Sequence, residues 1–174
     1  AASDVYKRQA LNILVEDYGV TNFQAILLGS DQGRKVYSKK LLSLAERYSL
    51  TKKIKFLNHC LDMPLAYSLA DVVVSASIEP EAFGRVSVES QSMGKPIIAS
   101  NIGGSKETIL NKKSGFLYKH DDPRELAKNL NTVMQLNQEE LKLIGNEGRK
   151  NVTKKFDVEV MCESNLREYK KLFK

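Results

Sequence analysis

The chain has 174 residues, 27 Lys and Arg against 21 Asp and Glu, a formal net charge of +6 and 42% hydrophobic residues. That length and balance describe one folded domain able to bury a full core, and they exclude a disordered chain. Ten Gly and four Pro exclude collagen-like or Pro-rich architecture, and no apolar run approaches the roughly 18 residues that a membrane-spanning helix needs.

The first nine residues are read apart from the rest. Asp4 to Gln9 spell DVYKRQ, which resembles the translated end of a transposon used to prepare sequencing libraries, so 1–9 is expected to be an artefactual leader. A natural helix start, with Ser3 or Asp4 as N-cap, stays open beside that reading. From residue 10 onwards, helix and strand signals alternate. Residues 10–18 read as a helix stopped by Gly19. The run FQAILL at 23–28, closed by Gly29, is continuous and apolar, as a strand covered on both faces requires. Val36, Leu41, Leu44, Ala45 and Tyr48 recur at helical spacing through 34–50. Further strands are expected at 54–57, 72–75 (VVVS), 97–100 (IIAS) and 115–118. Helices at 62–69, 83–93 and 105–110 lie between them. Pro64 falls in the first turn of one, and Gly94 followed by Pro96 stops another. Three amphipathic helices close the chain at 123–136, 138–155 and 158–173, with Leu126, Leu130 and Val133 on one face of the first. About five short apolar strands separated by helices argue for an α/β fold, a parallel sheet with helices on both faces, in a single domain over 1–174.

Several functions lack their residues. Cys60, Cys162, His59 and His120 are too few and too scattered for a disulfide framework or a four-ligand metal site. No Walker A sequence, Rossmann glycine fingerprint or DxD motif occurs. Without a secretory signal, the Asn151-Val152-Thr153 sequon reads as chance, and the cytoplasm is the expected compartment. Between 34 and 55 stand eight basic residues and one acidic residue, Glu46. That stretch reads either as a solvated helix face or as a surface for an anionic partner, a membrane or nucleic acid.

In an open parallel sheet, ligands sit at the carboxyl ends of the strands, where loops run into helix N-termini. Three loops fit: GSDQGR at 29–34, SIEPEAFG at 77–84 and NIGGSKE at 101–107. In the first, Arg34 opens a helix and either reaches an anion or is a surface charge. In the third, Gly103 and Gly104 either admit a ligand closely or simply bend the chain. The second carries most. Gly84 leaves the Phe83–Gly84 backbone N–H groups accessible to a phosphate. Glu81 lies in the loop, and Glu89 lies eight residues later in the apolar run VSVES. A carboxylate there needs a partner or a task. It accepts ligand hydroxyls, as in a nucleotide-sugar site, or it pairs with Arg85 one helical turn back.

The segment SIEPEAFGRVSVESQSMGKPIIASNIGGSKETI resembles the C-terminal, donor-binding domain of family 4 glycosyltransferases of the GT-B fold. In that family two glutamates with seven residues between them mark the donor site, here Glu81 and Glu89. EAFG, the MG-x-P turn, the following strand, GG-x-x-E, Ala70-Asp71 ahead of VVVS and Gly115-Phe116 also match, and the likeness runs from about 23 to 169. It implies a Rossmann-like domain that is the C-terminal half of a GT-B fold and binds a nucleoside diphosphate sugar. It implies retention of anomeric configuration, no cofactor and no metal. By the same resemblance Glu81 is the catalytic candidate and binds the transferred sugar, Glu89 takes the ribose hydroxyls, and Phe83 and Gly84 hold sugar and phosphate through their backbone. Arg85 supports the loop or Glu81, Ala82 and Val86 lie against the donor, and Arg34 sits on the phosphate side. The N-terminal acceptor domain is expected to be absent, which would leave this piece inactive alone. The acceptor would be a glycan or lipid of envelope polysaccharide or lipopolysaccharide synthesis, at the inner face of the cytoplasmic membrane, with no nucleic-acid partner. The chain departs from the family in lacking the upstream Arg…Lys-Gly element, in His59 where many members have Gly, and in Ala82 where many have Pro. The competing readings are a non-hydrolysing sugar-nucleotide epimerase, a non-catalytic nucleotide-sugar-binding module, and a nucleic-acid-binding module using the basic 34–55 stretch.

Overall fold

The computed structural model describes residues 3–29, 33 and 35–173. Helix α1 spans Ser3–Glu16, so the helix expected from residue 10 begins a further two turns upstream. Its apolar side buries Ala10, Leu11 and Leu14, while Lys7 pairs with Asp4 at 3.3 Å. Arg8 is also buried, its guanidinium 5.0 Å from the centre of the Phe56 ring.

Strand β1 (Ala25–Leu28) is followed by α2 (Lys35–Arg47) and β2 (Ile54–Leu57), and β1 and β2 pair in parallel from Ala25↔Ile54 to Leu28↔Leu57. Then come α3 (Met63–Ser68), β3 (Val73–Ser75), α4 (Arg85–Ser92), β4 (Ile97–Ser100), α5 (Ser105–Thr108) and β5 (Phe116–Tyr118). These three strands form a second parallel sheet in the order β3-β4-β5, with Val74↔Ile98 and Ala99↔Leu117 in register. The five expected strands therefore form, but among the described residues hydrogen bonding divides them into a pair and a triplet.

Strand β4 shows why the triplet is the stronger part. All four of its residues are buried. Successive side chains on a strand point to opposite faces. Ile98 accordingly joins the main core with Leu14, Leu50, Ile54, Leu126 and Val133, while Ile97 and Ala99 join a smaller cluster with Ile109 and Val86. Each fully buried aliphatic side chain contributes about 1.5–3 kcal/mol through removal from water.

Three capped helices close the chain. In α6 (Pro123–Met134), the Asp122 side chain accepts from the N–H groups of Arg124 and Glu125, and proline occupies the first turn. In α7 (Gln138–Lys155), Asn137 and Glu140 form a reciprocal capping box. Asp157 caps α8 (Val158–Leu172) through the Glu159 N–H. Such caps are worth about 1 kcal/mol each. No residue of α8 is buried, and its apolar Val158, Met161, Leu166 and Tyr169 stand exposed. No helix among the described residues is long and apolar enough to cross a membrane.

Candidate functional site

The connection from β3 to α4 carries the residues singled out by the sequence. Helix α4 starts at Arg85, two residues later than expected, because Gly84 adopts φ +75° and ψ 58° and cannot be a helical residue. Only glycine enters that left-handed region cheaply. No side chain caps the helix; the Ser87 N–H donates to the Gly84 carbonyl at 3.0 Å, while the N–H groups of Arg85 and Val86 meet no capping side chain.

Glu81, in the loop ahead of this helix, is exposed and accepts a hydrogen bond from the Ser77 hydroxyl through Oε1. Its backbone carbonyl accepts from the Gly104 N–H at 2.8 Å, which fastens the loop to the neighbouring β4–α5 turn. Here the paired glycines find their reason. A Cβ at Gly103 would lie 2.6 Å from the Glu81 carbonyl oxygen, and one at Gly104 would lie 2.4 Å from the Phe83 carbonyl. The glycines let one loop press on another. Phe83 is half exposed, with its ring edge-on to Phe156 at 5.6 Å, and this contact anchors the loop to the end of α7. Ala82 is exposed, whereas Val86 turns inward against Ile97, Ala99 and Ile109.

Glu89 lies in the second turn of α4 with its side chain 34% exposed. Its Oε1 accepts from Arg85 Nε at 3.1 Å and Nη2 at 2.8 Å. Arg85 thus pairs with Glu89 rather than with Glu81, because residues four apart on a helix are neighbours. The Arg85 side chain is 84% exposed, and such a surface pair is worth only about 0.3–0.5 kcal/mol. Glu89 Oε2 accepts from the hydroxyl of Tyr67, on α3, at 2.9 Å. Tyr67 is buried. Burial first, and then the hydrogen bond and negative charge of Glu89, raise its phenol well above the ordinary tyrosine range, so it remains a proton donor. Nearby, Lys95 Nζ donates to the Ser68 carbonyl at 2.8 Å, a second tie to the end of α3.

Six of the seven site residues expected on this stretch, Glu81, Ala82, Phe83, Gly84, Arg85 and Val86, therefore cluster around the start of α4, with Glu89 one turn further along. Arg34 lies outside the described residues. Sequence reasoning missed Ser77, Tyr67 and Phe156. Ser77 was legible as a hydroxyl four residues before Glu81. Tyr67 and Phe156 carry no local signal, since their partners are 22 and 73 positions away in the sequence. Among the described residues, no group of three or more His, Cys, Asp or Glu side chains is placed to hold a metal ion.

Comparison with known proteins agrees with this architecture. Residues 9–151 match the family described as glycosyl transferases group 1. D-inositol 3-phosphate glycosyltransferase of Corynebacterium urealyticum is 32% identical over 129 residues, covering 72% of this chain and 30% of that protein. A glycosyltransferase from Rickettsia africae superposes with a TM-score of 0.89 at 31% identity, over 98% of this chain and 44% of that one. Anabaena HepE, solved in complex with UDP and glucose, superposes with a TM-score of 0.86 at 28% identity, over 96% of this chain and 44% of that one. The chain thus spans less than half the length of these relatives. With its parallel strands flanked by helices and its loops gathered at the head of α4, the chain belongs to the group 1 glycosyl transferases, as a Rossmann-like domain of the GT-B fold.

Proposed function

We propose that this domain binds the nucleoside diphosphate sugar donor of a retaining glycosyltransferase. The observation that supports the reading best is the pair of carboxylates, Glu81 and Glu89, carried on either side of a helix N-terminus that no side chain caps. Uncapped N–H groups and the positive end of a helix suit a diphosphate. Partly exposed carboxylates suit hydroxyls. In this reading Glu89 receives the ribose hydroxyls, Glu81 receives those of the transferred sugar, and the backbone at Phe83 and Gly84 meets sugar and phosphate. Ala82 borders the donor and Val86 props the helix start from beneath. The presence of UDP and glucose in HepE favours a nucleotide sugar as the ligand class.

As the bond between the anomeric carbon and the diphosphate oxygen lengthens, positive charge grows on the sugar and negative charge on the leaving group. Oriented N–H donors stabilise the latter, and interactions that strengthen as charge develops lower the barrier. The acceptor oxygen then bonds to the anomeric carbon on the face the diphosphate leaves, and its hydroxyl proton passes to the departing diphosphate oxygen. The acceptor, a glycan or lipid of envelope polysaccharide or lipopolysaccharide synthesis, would be held by the part of the relatives that this chain does not span. The basic 34–55 stretch would face anionic lipid at the inner face of the cytoplasmic membrane. Co-sedimentation with liposomes should then rise with anionic lipid content, and indifference to it removes the membrane role.

Titration calorimetry with UDP, GDP and ADP tests donor binding directly. One of the three is expected to bind saturably. Glu89→Gln should weaken that binding about tenfold or more, the usual consequence of losing charge-assisted hydrogen bonds. Saturable binding by none of the three, or full affinity in both Glu81→Gln and Glu89→Gln, would overturn the proposal.

A further inference from the structure

We propose that Tyr67 is a positioning residue: it fixes the Glu89 carboxylate for a vicinal pair of hydroxyls and thereby sets the preference of the site for a ribonucleotide over its deoxy counterpart. This rests on the reading of Glu89 as the ribose contact. A carboxylate offers about four acceptor positions, two on each oxygen. In this structure three are filled, two on Oε1 by Arg85 and one on Oε2 by Tyr67. One position on Oε2 is left, and a vicinal diol requires two. The partner that can withdraw is Arg85, whose side chain is 84% exposed and free to rehydrate. Tyr67 cannot withdraw. It is only 6% exposed, and rotation of its ring would bury a phenol away from its acceptor. A donor nucleotide therefore displaces Arg85 from Oε1, while Tyr67 keeps Oε2 in place. Both oxygens then present an open position to the two hydroxyls, and the rotamer is fixed before the ligand arrives. Preorganisation of this kind raises affinity without adding a contact to the ligand. Tyr67 is also tied to the site from its own side, because Lys95 Nζ holds the carbonyl of the adjacent Ser68.

The test is calorimetry on this chain with the nucleoside diphosphate that binds, taken as UDP as in HepE, against its 2′,3′-dideoxy counterpart; where GDP or ADP binds instead, the corresponding pair of that nucleotide replaces it. The native chain is expected to prefer UDP by about tenfold or more, as expected for hydroxyls donating to a charged group. Tyr67→Phe removes the phenolic oxygen and keeps the ring. It should reduce that ratio by about three- to tenfold, through weaker UDP binding with the dideoxy affinity unchanged. Equal losses for both nucleotides would mark a purely structural tie between α3 and α4 and overturn the proposal. So would an unchanged ratio in Tyr67→Phe where Glu89→Gln abolishes it, and that outcome would leave the ribose reading standing. No preference for UDP in the native chain, or an unchanged ratio in Glu89→Gln, removes the ribose reading and this inference with it. Should Tyr67→Phe fail to fold, a crystal structure of the native chain with UDP decides. Tyr67 is expected to remain on Glu89 with Arg85 turned away, and a broken Tyr67–Glu89 bond in the complex overturns the proposal.

Discussion

Gly84 and Gly104 sit on two loops that meet at the head of α4, and each excludes a side chain for a different physical reason. Gly84 has room: a Cβ there would be 3.5 Å from its nearest neighbours, an ordinary contact. What it needs is the left-handed backbone, at φ +75°. Gly104 has ordinary helical angles, φ −60° and ψ −21°, but no room, with the Phe83 carbonyl 2.4 Å from where a Cβ would be. Alanine at Gly84 should cost about 1–2 kcal/mol, the left-handed penalty, and asparagine should recover part of that loss because it visits this region more readily. Alanine at Gly104 should cost about 1–3 kcal/mol by overpacking, and asparagine should be worse. Urea denaturation of the four variants separates the two, and equal behaviour of asparagine at both positions would refute the distinction. The same contrast shows what a sequence discloses at this scale. The spacing of Glu81 and Glu89 and the four-residue step from Arg85 to Glu89 are local, so they were readable. The role of Gly103 and Gly104 stays open in the sequence between ligand approach and bending, because the backbone they accommodate, at Glu81 and Phe83, lies 22 and 21 residues upstream. Tyr67, in the run MPLAYSLA, looks like any apolar-face aromatic until α3 is placed beside α4.

Helix positions followed their signals closely, and the exceptions are set by packing between elements. The amphipathic run of α6 and the proline in its first turn announced that helix. The approach of α7 to α4 was silent. At its centre Gly145 passes so near the turn after α4 that a Cβ would fall 1.9 Å from the Gly94 carbonyl oxygen. One turn on, Gly148 lies against Gln91. The Gln91 amide donates to the carbonyls of Ser87 and Thr108, and the Asn151 amide donates to the same Thr108 carbonyl. Residues of α4, α5 and α7 thus share one buried acceptor. Asn151 is only 7% exposed, so its side chain serves this junction and is not available as a glycan attachment point. Propensity alone makes Gly145→Ala favourable by about 1 kcal/mol, since glycine is a poor helix former. The contact with Gly94 reverses that sign, and the variant should instead lose about 1–3 kcal/mol or more as α7 is forced outward. A raised melting temperature for Gly145→Ala would show that α7 is not packed on α4 in this way.

Across the whole molecule, the division of the strands decides how the fold holds together. A doubly wound sheet of order 3-2-1-4-5-6 has a strand between the positions that β1 and β3 occupy here, whereas in this chain β1 pairs only with β2 and β3 only with β4 among the described residues. Counting apolar runs could not reveal this, because a run marks a strand but says nothing of its neighbours. What joins the pair to the triplet is side-chain packing: Ile54 of β2 and Ile98 of β4 belong to one core together with Ala10, Leu11 and Leu14 of α1, which itself packs on α2 and α6. The two parts are unequally protected. Every residue of β4 is buried, whereas Ile26, Phe56 and Leu57 of the β1–β2 pair stand 55%, 41% and 47% exposed. Opening free energies follow buried apolar contact and the exposure of backbone hydrogen bonds. Amide exchange followed by mass spectrometry should therefore show 25–28 and 54–57 exchanging well before 97–100 under native conditions. Leu14→Ala, which cuts into the shared core at a fully buried position, should lower global stability by about 2–5 kcal/mol and speed exchange in both parts. If β1 and β2 instead exchanged at the rate of β4, and Leu14→Ala left that rate unchanged, the two sheets would have to be coupled by something stronger than this one apolar cluster.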